Sequence, residues 1–212
     1  MKHTRNYPDI NFEIEPMLIE NGMVDNWIWL QELKQRKLYL TDEITQYTVG
    51  DIVRHIIAFN TEDREIPPEE RKPILLYIAS NGGEMDSGFE LIDFIKASKT
   101  PVYTINLGFC YSMGFLIFLA GHKRYSAVNA KFLMHDGSSF VYNSTSKVKD
   151  QMIFNDKVEN RVKDYILAHT KISEKTYKSK VRTEWYMFSD EAKENGVTDF
   201  IIGQDCDLDE II

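Results

Sequence analysis

Residues 74–107 constrain the fold of this chain more than any other stretch. Residues 74–79 form a near-continuous apolar run, which is typical of a strand buried on both faces of a sheet. Residues 84–97 have the apolar spacing of an amphipathic helix, and residues 100–107 form a second strand-like run. A strand, a helix and another strand in direct succession predict a βαβ unit, in which the two strands lie parallel.

The same alternation continues on both sides of this unit. We predict further strands at residues 37–41, 131–134 and 197–202, and further helices at residues 45–59, from 112, at 147–168 and from 189. This alternation predicts an α/β fold built on a parallel sheet. The 212 residues suffice for one large domain. We place that domain at residues 37–203, after an N-terminal arm with a first helix (1–36) and before an acidic tail (204–212).

Composition narrows the classes of partner. The net charge of −8 argues against nucleic acid or an anionic membrane surface as the main partner. The apolar stretch at residues 107–121 is too short to span a membrane, and the N-terminus lacks the apolar segment of a signal peptide. The two cysteines, Cys110 and Cys206, imply no disulfide framework. We therefore expect a cytoplasmic protein.

A serine between two glycines marks the candidate site. Ser112 lies between Gly108 and Gly114, in a segment that follows a predicted strand and precedes an apolar helix. A serine on a sharp strand-to-helix turn is pushed out of the backbone, where a base and a substrate reach it. Serine hydrolysis is therefore the first hypothesis. The alternative is a small residue that merely permits a tight turn.

Such a nucleophile needs a histidine as its base, and the chain has five. His135 is the best candidate because it ends an apolar strand, at a sheet edge where functional residues collect. A lone histidine at a strand end is commonly structural, so its pairing with Ser112 is the reason to prefer a catalytic role. The other histidines lie in the N-terminal arm, in helices or in a turn: His3, His55, His122 and His169.

A second glycine-rich turn follows the first strand of the βαβ unit, at residues 80–83. The adjacent Gly82 and Gly83 allow the backbone to approach a substrate closely and to direct N–H groups at it. The turn matches neither a phosphate-binding loop nor a dinucleotide fingerprint. We therefore expect no metal and no other cofactor in this chain.

Taken in their order along the chain, these motifs resemble the proteolytic subunit family of ATP-dependent Clp proteases, which are serine peptidases. The resemblance covers residues 37–202, and five segments carry it: 74–83, 108–114, 130–135, 167–170 and 189–199. It implies a ClpP/crotonase-type fold, a layered α/β arrangement of repeated ββα units with a long protruding helix. It also implies that Ser112 is the nucleophile, His135 the base, and the N–H groups of Gly83 and Met113 the oxyanion donors.

The resemblance further implies a tetradecamer, in which two stacked seven-membered rings enclose the active sites. The helix from Lys147 would form the ring-to-ring contact, and an AAA+ Clp unfoldase would supply unfolded polypeptides. The residues themselves leave two interpretations of Met152, Ile153 and Phe154, which widen the apolar surface of that helix. They either pack in the core or form an oligomer contact.

The chain departs from the family's pattern in three motifs. Asn81 replaces the usual proline of a Ser-Pro-Gly-Gly turn, and Asp136-Gly137 replace the Gln-Pro that usually follows the histidine. Glu184 stands where the family has the aspartate that orients the histidine, a role that glutamate performs in some α/β-hydrolases. Asp136 and Asp190 are alternatives for that third residue. For Glu184 itself the alternative is a solvated surface charge.

The sequence therefore predicts a serine endopeptidase, the proteolytic subunit of a Clp-type protease. One alternative is a weakly active or inactive paralogue that acts as a structural partner in a mixed ring, as the departures at Asn81 and Glu184 suggest. Another is a different enzyme on the same fold, either a capsid-maturation or signal-peptide-type peptidase or a crotonase-like acyl-CoA enzyme. The pairing of serine with histidine disfavours the acyl-CoA alternative.

Overall fold

The structure, a computed structural model, describes residues 24–137 and 144–211. The chain divides into two compact units, one that ends at Lys37 and one that begins at Leu38. In the first unit the described element is helix α1 (Val24–Lys34). Most of the N-terminal arm that the sequence predicts lies outside the described residues.

The second unit is built on a single sheet. The described strands are β1 (Lys37–Leu40), β2 (Ile74–Ser80), β3 (Val102–Tyr111), β4 (Lys123–Ala127), β5 (Lys131–Met134), β6 (Trp185–Phe188) and β7 (Phe200–Ile202). The helices are α2 (Gln46–Glu62), α3 (Met85–Ala97), α4 (Met113–Leu119), α5 (Thr145–His169), α6 (Glu174–Lys180) and α7 (Ser189–Glu194). Neighbouring strands follow the order β1-β2-β3-β4-β7, and β5 pairs with both β3 and β6.

The predicted βαβ unit and the α/β class are confirmed. Strand β2 pairs in parallel with β3, beginning with Ile74 opposite Val102, and α3 connects the two strands. The pairs β3–β4, β3–β5 and β4–β7 are parallel as well, whereas β5 and β6 run antiparallel. Strand β2 is buried along almost its whole length, as its continuous apolar run predicts.

On the side away from β2, strand β3 has two different neighbours because it contains a bulge. Its residues 103–106 pair with β4, and its residues 109–111 pair with β5. The fully buried Asn106 lies where the register shifts. Its side-chain amide donates to the carbonyl of Lys131 (3.0 Å), and its side-chain oxygen accepts from the N–H of Gly108 (3.0 Å). This side chain therefore ties the end of β3 to the start of β5.

The core lies where helices α2, α3 and α4 pack together beside the sheet. All seven residues of α4 are buried, so the apolar stretch after Ser112 is core, as predicted. Phe118 of this helix contacts Phe132 of β5, with ring centroids 4.9 Å apart. No helix in residues 24–137 and 144–211 is long and apolar enough to cross a membrane.

Helix α5 differs from α2 and α3 because almost none of it is buried. Ile166, close to its end, is its one buried residue. Met152, Ile153 and Phe154 are 58–61% exposed. Core packing is therefore the wrong interpretation of these three residues, since they have little of the subunit around them.

Candidate active site

Ser112 occupies a strained turn between β3 and α4. Its φ of 52° and ψ of −120° are unusual for any residue other than glycine, and such conformations cluster at functional sites. The Ser112 N–H donates to the carbonyl of Leu133 in β5 (3.0 Å), and the Ser112 carbonyl accepts from the N–H of Phe115 (3.0 Å). The surrounding hydrogen bonds thus hold the serine in the strand-to-helix turn that the sequence predicts, and its side chain stays half-buried.

The glycine-rich loop after β2 touches this turn. A Cβ atom built on Gly82 would lie 2.8 Å from the Cβ of Ser112 and 3.1 Å from the N of Met113. The φ of Gly82, +103°, is also one that side-chain-bearing residues rarely adopt. Only glycine fits at this position, and the two glycine-rich motifs of the sequence therefore belong to one site.

Two backbone donors beside Ser112 have no partner among the described residues. Ile44 brackets the glycine loop, because its N–H donates to Gly82 (2.9 Å) and its carbonyl accepts from Glu84 (2.8 Å). This arrangement leaves the N–H of Gly83 unused. The N–H of Met113, at the first position of α4, is one of the donors that a helix start leaves unpaired. Within the described part of the chain, neither N–H donates a hydrogen bond.

Ser80 is a contributor to this loop that the sequence did not reveal. Its side chain is buried, with 1% of its surface exposed. The hydroxyl donates to the carbonyl of Asp42 (2.7 Å) and accepts from the N–H of Gly82 (3.1 Å). These bonds fix the loop although Asn81 replaces the rigid proline of the family's pattern.

Cys110 is the other potential nucleophile in the serine motif. It is fully buried, and burial raises the pKa of its thiol well above the usual value. The thiolate is the reactive form of cysteine, so a buried, protonated thiol is inert. Ser112 is therefore the better nucleophile of the two.

His135 follows β5 directly, and β5 pairs with the strand that leads to Ser112. The parallel register sets Tyr111 opposite Leu133, so that Ser112 and His135 each continue a paired strand beyond its last paired residue. The imidazole is half-buried, and its Nε2 atom is buried without a hydrogen-bond partner among the described residues. Unpaired buried nitrogens are unusual in folded proteins, and here no hydrogen bond to Ser112 satisfies this one.

Glu184 lies at the matching position of the neighbouring strand. The antiparallel ladder ends at the pair Met134–Trp185, and the residues next to this pair are His135 on one segment and Glu184 on the other. Side chains at opposed positions share a face of the sheet, with Cβ atoms about 4.5–5.5 Å apart. The carboxylate is exposed, and its Oε2 accepts a hydrogen bond from the hydroxyl of Tyr186 (3.1 Å).

The two alternative aspartates differ in their positions. Asp136 directly follows His135 in sequence. Its side chain is exposed, and its backbone N–H donates to the carbonyl of Val181 (2.7 Å). Asp190 lies beyond Phe188, which pairs with Lys131 at the opposite end of β5. The structure therefore does not bring Asp190 to His135.

A cleft of about 330 Å³ adjoins the glycine loop. It is lined by Thr41, Asp42, Glu43, Ala79, Ser80, Asn81, Gly82, Gly83 and Phe109. A larger cleft of about 600 Å³ lies at the far end of α4, around Arg124, His169 and Asp199. Arg124 there donates to Asp199 (2.6 Å) and to the carbonyl of His169 (2.8 Å), so its guanidinium is occupied. The residues of the serine motif do not line this larger cleft.

A strained serine turn on an α/β sheet, with unpaired backbone donors beside it and a histidine at the adjacent strand end, is an arrangement typical of hydrolases. The chain belongs to the Clp protease family, because the family model described as Clp protease matches residues 21–205. The family resemblance that the motifs carry is thus confirmed.

Two curated relatives agree with this assignment. The chain is 28% identical over 178 residues to the ATP-dependent Clp protease proteolytic subunit 2 of Treponema pallidum (strain Nichols), a match that covers 83% of this chain and 86% of that protein. It is 27% identical over 175 residues to the subunit of the same name from Treponema denticola, with coverages of 82% and 84%. In both cases the match extends over most of the two chains.

Proposed function

We propose that this chain is a serine endopeptidase, the proteolytic subunit of an ATP-dependent Clp-type protease that degrades unfolded polypeptides. One observation carries the proposal: the strained Ser112 turn touches the Gly82 loop and continues the strand beside His135. Membership of a protease family supports the reaction class.

The mechanism assigns a role to each of these groups. His135 takes the hydroxyl proton of Ser112 at its unpaired Nε2 atom, while the serine oxygen attacks a peptide carbonyl. The N–H groups of Gly83 and Met113 hold the resulting oxyanion, and each donor of this kind contributes about 3–4 kcal/mol. His135 then protonates the leaving amine, and water releases the acyl group from Ser112.

Glu184 is the third member of the proposed triad. A carboxylate opposite His135 orients the imidazole and stabilises its positive charge while the proton is held. The register of β5 and β6 supports Glu184 for this role over Asp190. It also supports Glu184 over a surface charge without function.

The proposal includes assembly into two stacked seven-membered rings in the cytosol, to which an AAA+ Clp unfoldase delivers unfolded polypeptides. The exposed apolar residues of α5 support a second copy of the chain as their partner, because large exposed apolar patches mark interaction sites. The free thiols of Cys110 and Cys206 are compatible with a reducing compartment.

A second candidate function is a weakly active subunit that supports an active partner in a mixed ring. The unpaired Nε2 of His135 and the engagement of Glu184 by Tyr186 favour it, because neither contact completes a triad within this chain. Catalytic hydrogen bonds are often long in proteins without substrate, so the same observations are compatible with full activity.

Labelling with a fluorophosphonate probe tests the nucleophile directly. We expect the purified protein to be labelled, the Ser112→Ala variant to be unlabelled, and the matched Ser179→Ala variant, at an exposed helical serine, to be labelled like the wild type. Undiminished labelling of Ser112→Ala would contradict the assignment. Slow labelling of the purified chain that accelerates on mixing with a second subunit would favour the mixed ring.

A further inference from the structure

The carboxylate of Glu184 is held by a neighbour on the same strand. Glu184 and Tyr186 are two residues apart along an extended segment, so they share one face of the sheet. The hydroxyl of Tyr186 donates to Oε2 of Glu184 (3.1 Å). The hydrogen bond to Glu184 is the main reason why the pKa of Tyr186 is raised above its ordinary value, and the carboxylate charge acts in the same direction.

The ring of Tyr186 is itself held beside the turn that contains Ser112. Tyr111, Leu133 and Tyr186 form a row across strands β3, β5 and β6. The rings of Tyr111 and Tyr186 meet edge to face, with centroids 5.7 Å apart and an interplanar angle of 87°, a favourable geometry for aromatic pairs. Tyr111 directly precedes Ser112. The phenol that holds Glu184 is thus anchored to the residue before the candidate nucleophile.

A glutamate at this position needs such an anchor more than an aspartate does. Its side chain has one more rotatable bond, and it is exposed, so an unanchored carboxylate would sample several rotamers. Because the Tyr186 hydroxyl occupies Oε2, this contact leaves the other oxygen, Oε1, for the imidazole of His135, the residue that follows β5.

We propose that Tyr186 is a positioning residue, whose hydroxyl holds the Glu184 carboxylate where it can orient His135. The inference rests on the proposed function, because it presupposes that Ser112 and His135 react. Tyr186 touches neither the substrate nor the reacting atoms in this scheme. It acts only through Glu184.

The Tyr186→Phe variant tests this role, because it removes the hydroxyl and keeps the ring that contacts Tyr111. We expect roughly a three- to tenfold lower rate of fluorophosphonate labelling and of kcat, the range of a typical net hydrogen bond, because Glu184 and Tyr186 are both exposed to solvent. KM and the melting temperature should stay unchanged. Tyr47→Phe is the matched control, because Tyr47 is 87% exposed on α2 and outside the site.

The same substitution in a Glu184→Ala background separates positioning from a structural effect. With the carboxylate gone, Tyr186→Phe should cause no further loss. An equal loss in both backgrounds, or Tyr186→Phe labelling at the wild-type rate, would overturn the inference while the assignment of Ser112 stands. Glu184→Ala at the wild-type rate would also overturn it. A wild-type protein whose Ser112 stays unlabelled would overturn the proposed function and this inference together.

Discussion

Gly82→Ala is the substitution whose effect the structure defines most closely. The added Cβ would lie 2.8 Å from the Cβ of Ser112, 3.0 Å from the carbonyl of Tyr111 and 3.1 Å from the N of Met113. These atoms belong to the serine turn itself, so no flexible side-chain end is available to move aside. The φ of +103° adds strain for an alanine. A positive φ costs about 1–2 kcal/mol and overpacking about 1–3 kcal/mol, which together predict about 2–5 kcal/mol of destabilisation.

The larger effect should be on reactivity. Relief of the clash requires the loop or the turn to shift by roughly 1 Å, and a displacement of this size at a reacting group costs about a hundredfold in rate. We therefore expect the rate of fluorophosphonate labelling of Gly82→Ala to fall about a hundredfold. The loss should persist at temperatures where urea titration shows the variant to be folded.

Gly50→Ala provides the matched control. Gly50 lies inside α2 with a helical backbone, and a methyl group added there would meet no atom within 4 Å. Alanine there should raise the free energy of unfolding by about 0.5–1 kcal/mol and leave labelling unchanged. Wild-type labelling by folded Gly82→Ala would refute the view that the close approach of loop and turn builds the site.

Two further predictions concern assembly and pH. Phe154→Asp should dissociate the proposed oligomer in sedimentation velocity, because a charge replaces an exposed apolar side chain. Asn160→Asp, on another side of α5, should leave the oligomer intact, and equal behaviour of the two variants would contradict the proposed α5 interface. Partial desolvation lowers the pKa of His122, whose Nδ1 lies 3.1 Å from the N of Val102. Because the folded-state pKa lies below the unfolded value, the stability that depends on neutral His122 is present above about pH 6.5 and declines as the pH falls. Urea titrations from pH 7.5 to 5 should show a shallower decline for His122→Gln, and identical slopes would contradict this account.

The parts of the fold that sequence predicted correctly depend on local properties of the chain. A run such as residues 74–79 has few alternatives to a buried strand, and the apolar residues after Ser112 have few alternatives to a core helix. The glycines on either side of Ser112 and at residues 82–83 mark tight turns for the same local reason. Their contact with each other is a tertiary property, which the sequence suggested only through the order of its motifs.

The missed elements are those with weak local signals. Strand β4 (Lys123–Ala127) begins with two charged residues, and helix α6 (Glu174–Lys180) has only seven residues. Strand β6 has only four residues, and among the described strands it pairs only with β5. Its extended conformation therefore depends on that one pairing. Such segments adopt their structure through tertiary pairing, which outweighs local propensity.

The end of β3 shows why the geometry of the candidate site was harder to predict than the identity of its residues. The sequence suggests that the strand stops near Leu107, because Asn106 and Gly108 are poor strand formers. In the structure Asn106 is buried and hydrogen-bonded across the bulge, so that β3 continues to Tyr111 and pairs with β5. Without this bulge Ser112 would not continue the strand beside His135. A polar residue that disturbs the strand pattern is thus what brings the two candidate catalytic residues to neighbouring strand ends.

Glu184 is another candidate residue that the sequence identified but whose contacts only the structure shows. From the sequence it is a departure from the family's aspartate, with a side chain one methylene longer. Its compensation, the hydroxyl of Tyr186, becomes visible only once β6 is known to be a strand, because residues two apart share a face in a strand but not in a helix. The ring of Tyr186 is placed by Tyr111, two strands away. The longer acid and its anchor therefore form one unit, and we expect Glu184→Asp to lose the contact with Tyr186. Tyr186→Phe should then slow fluorophosphonate labelling only while residue 184 is a glutamate.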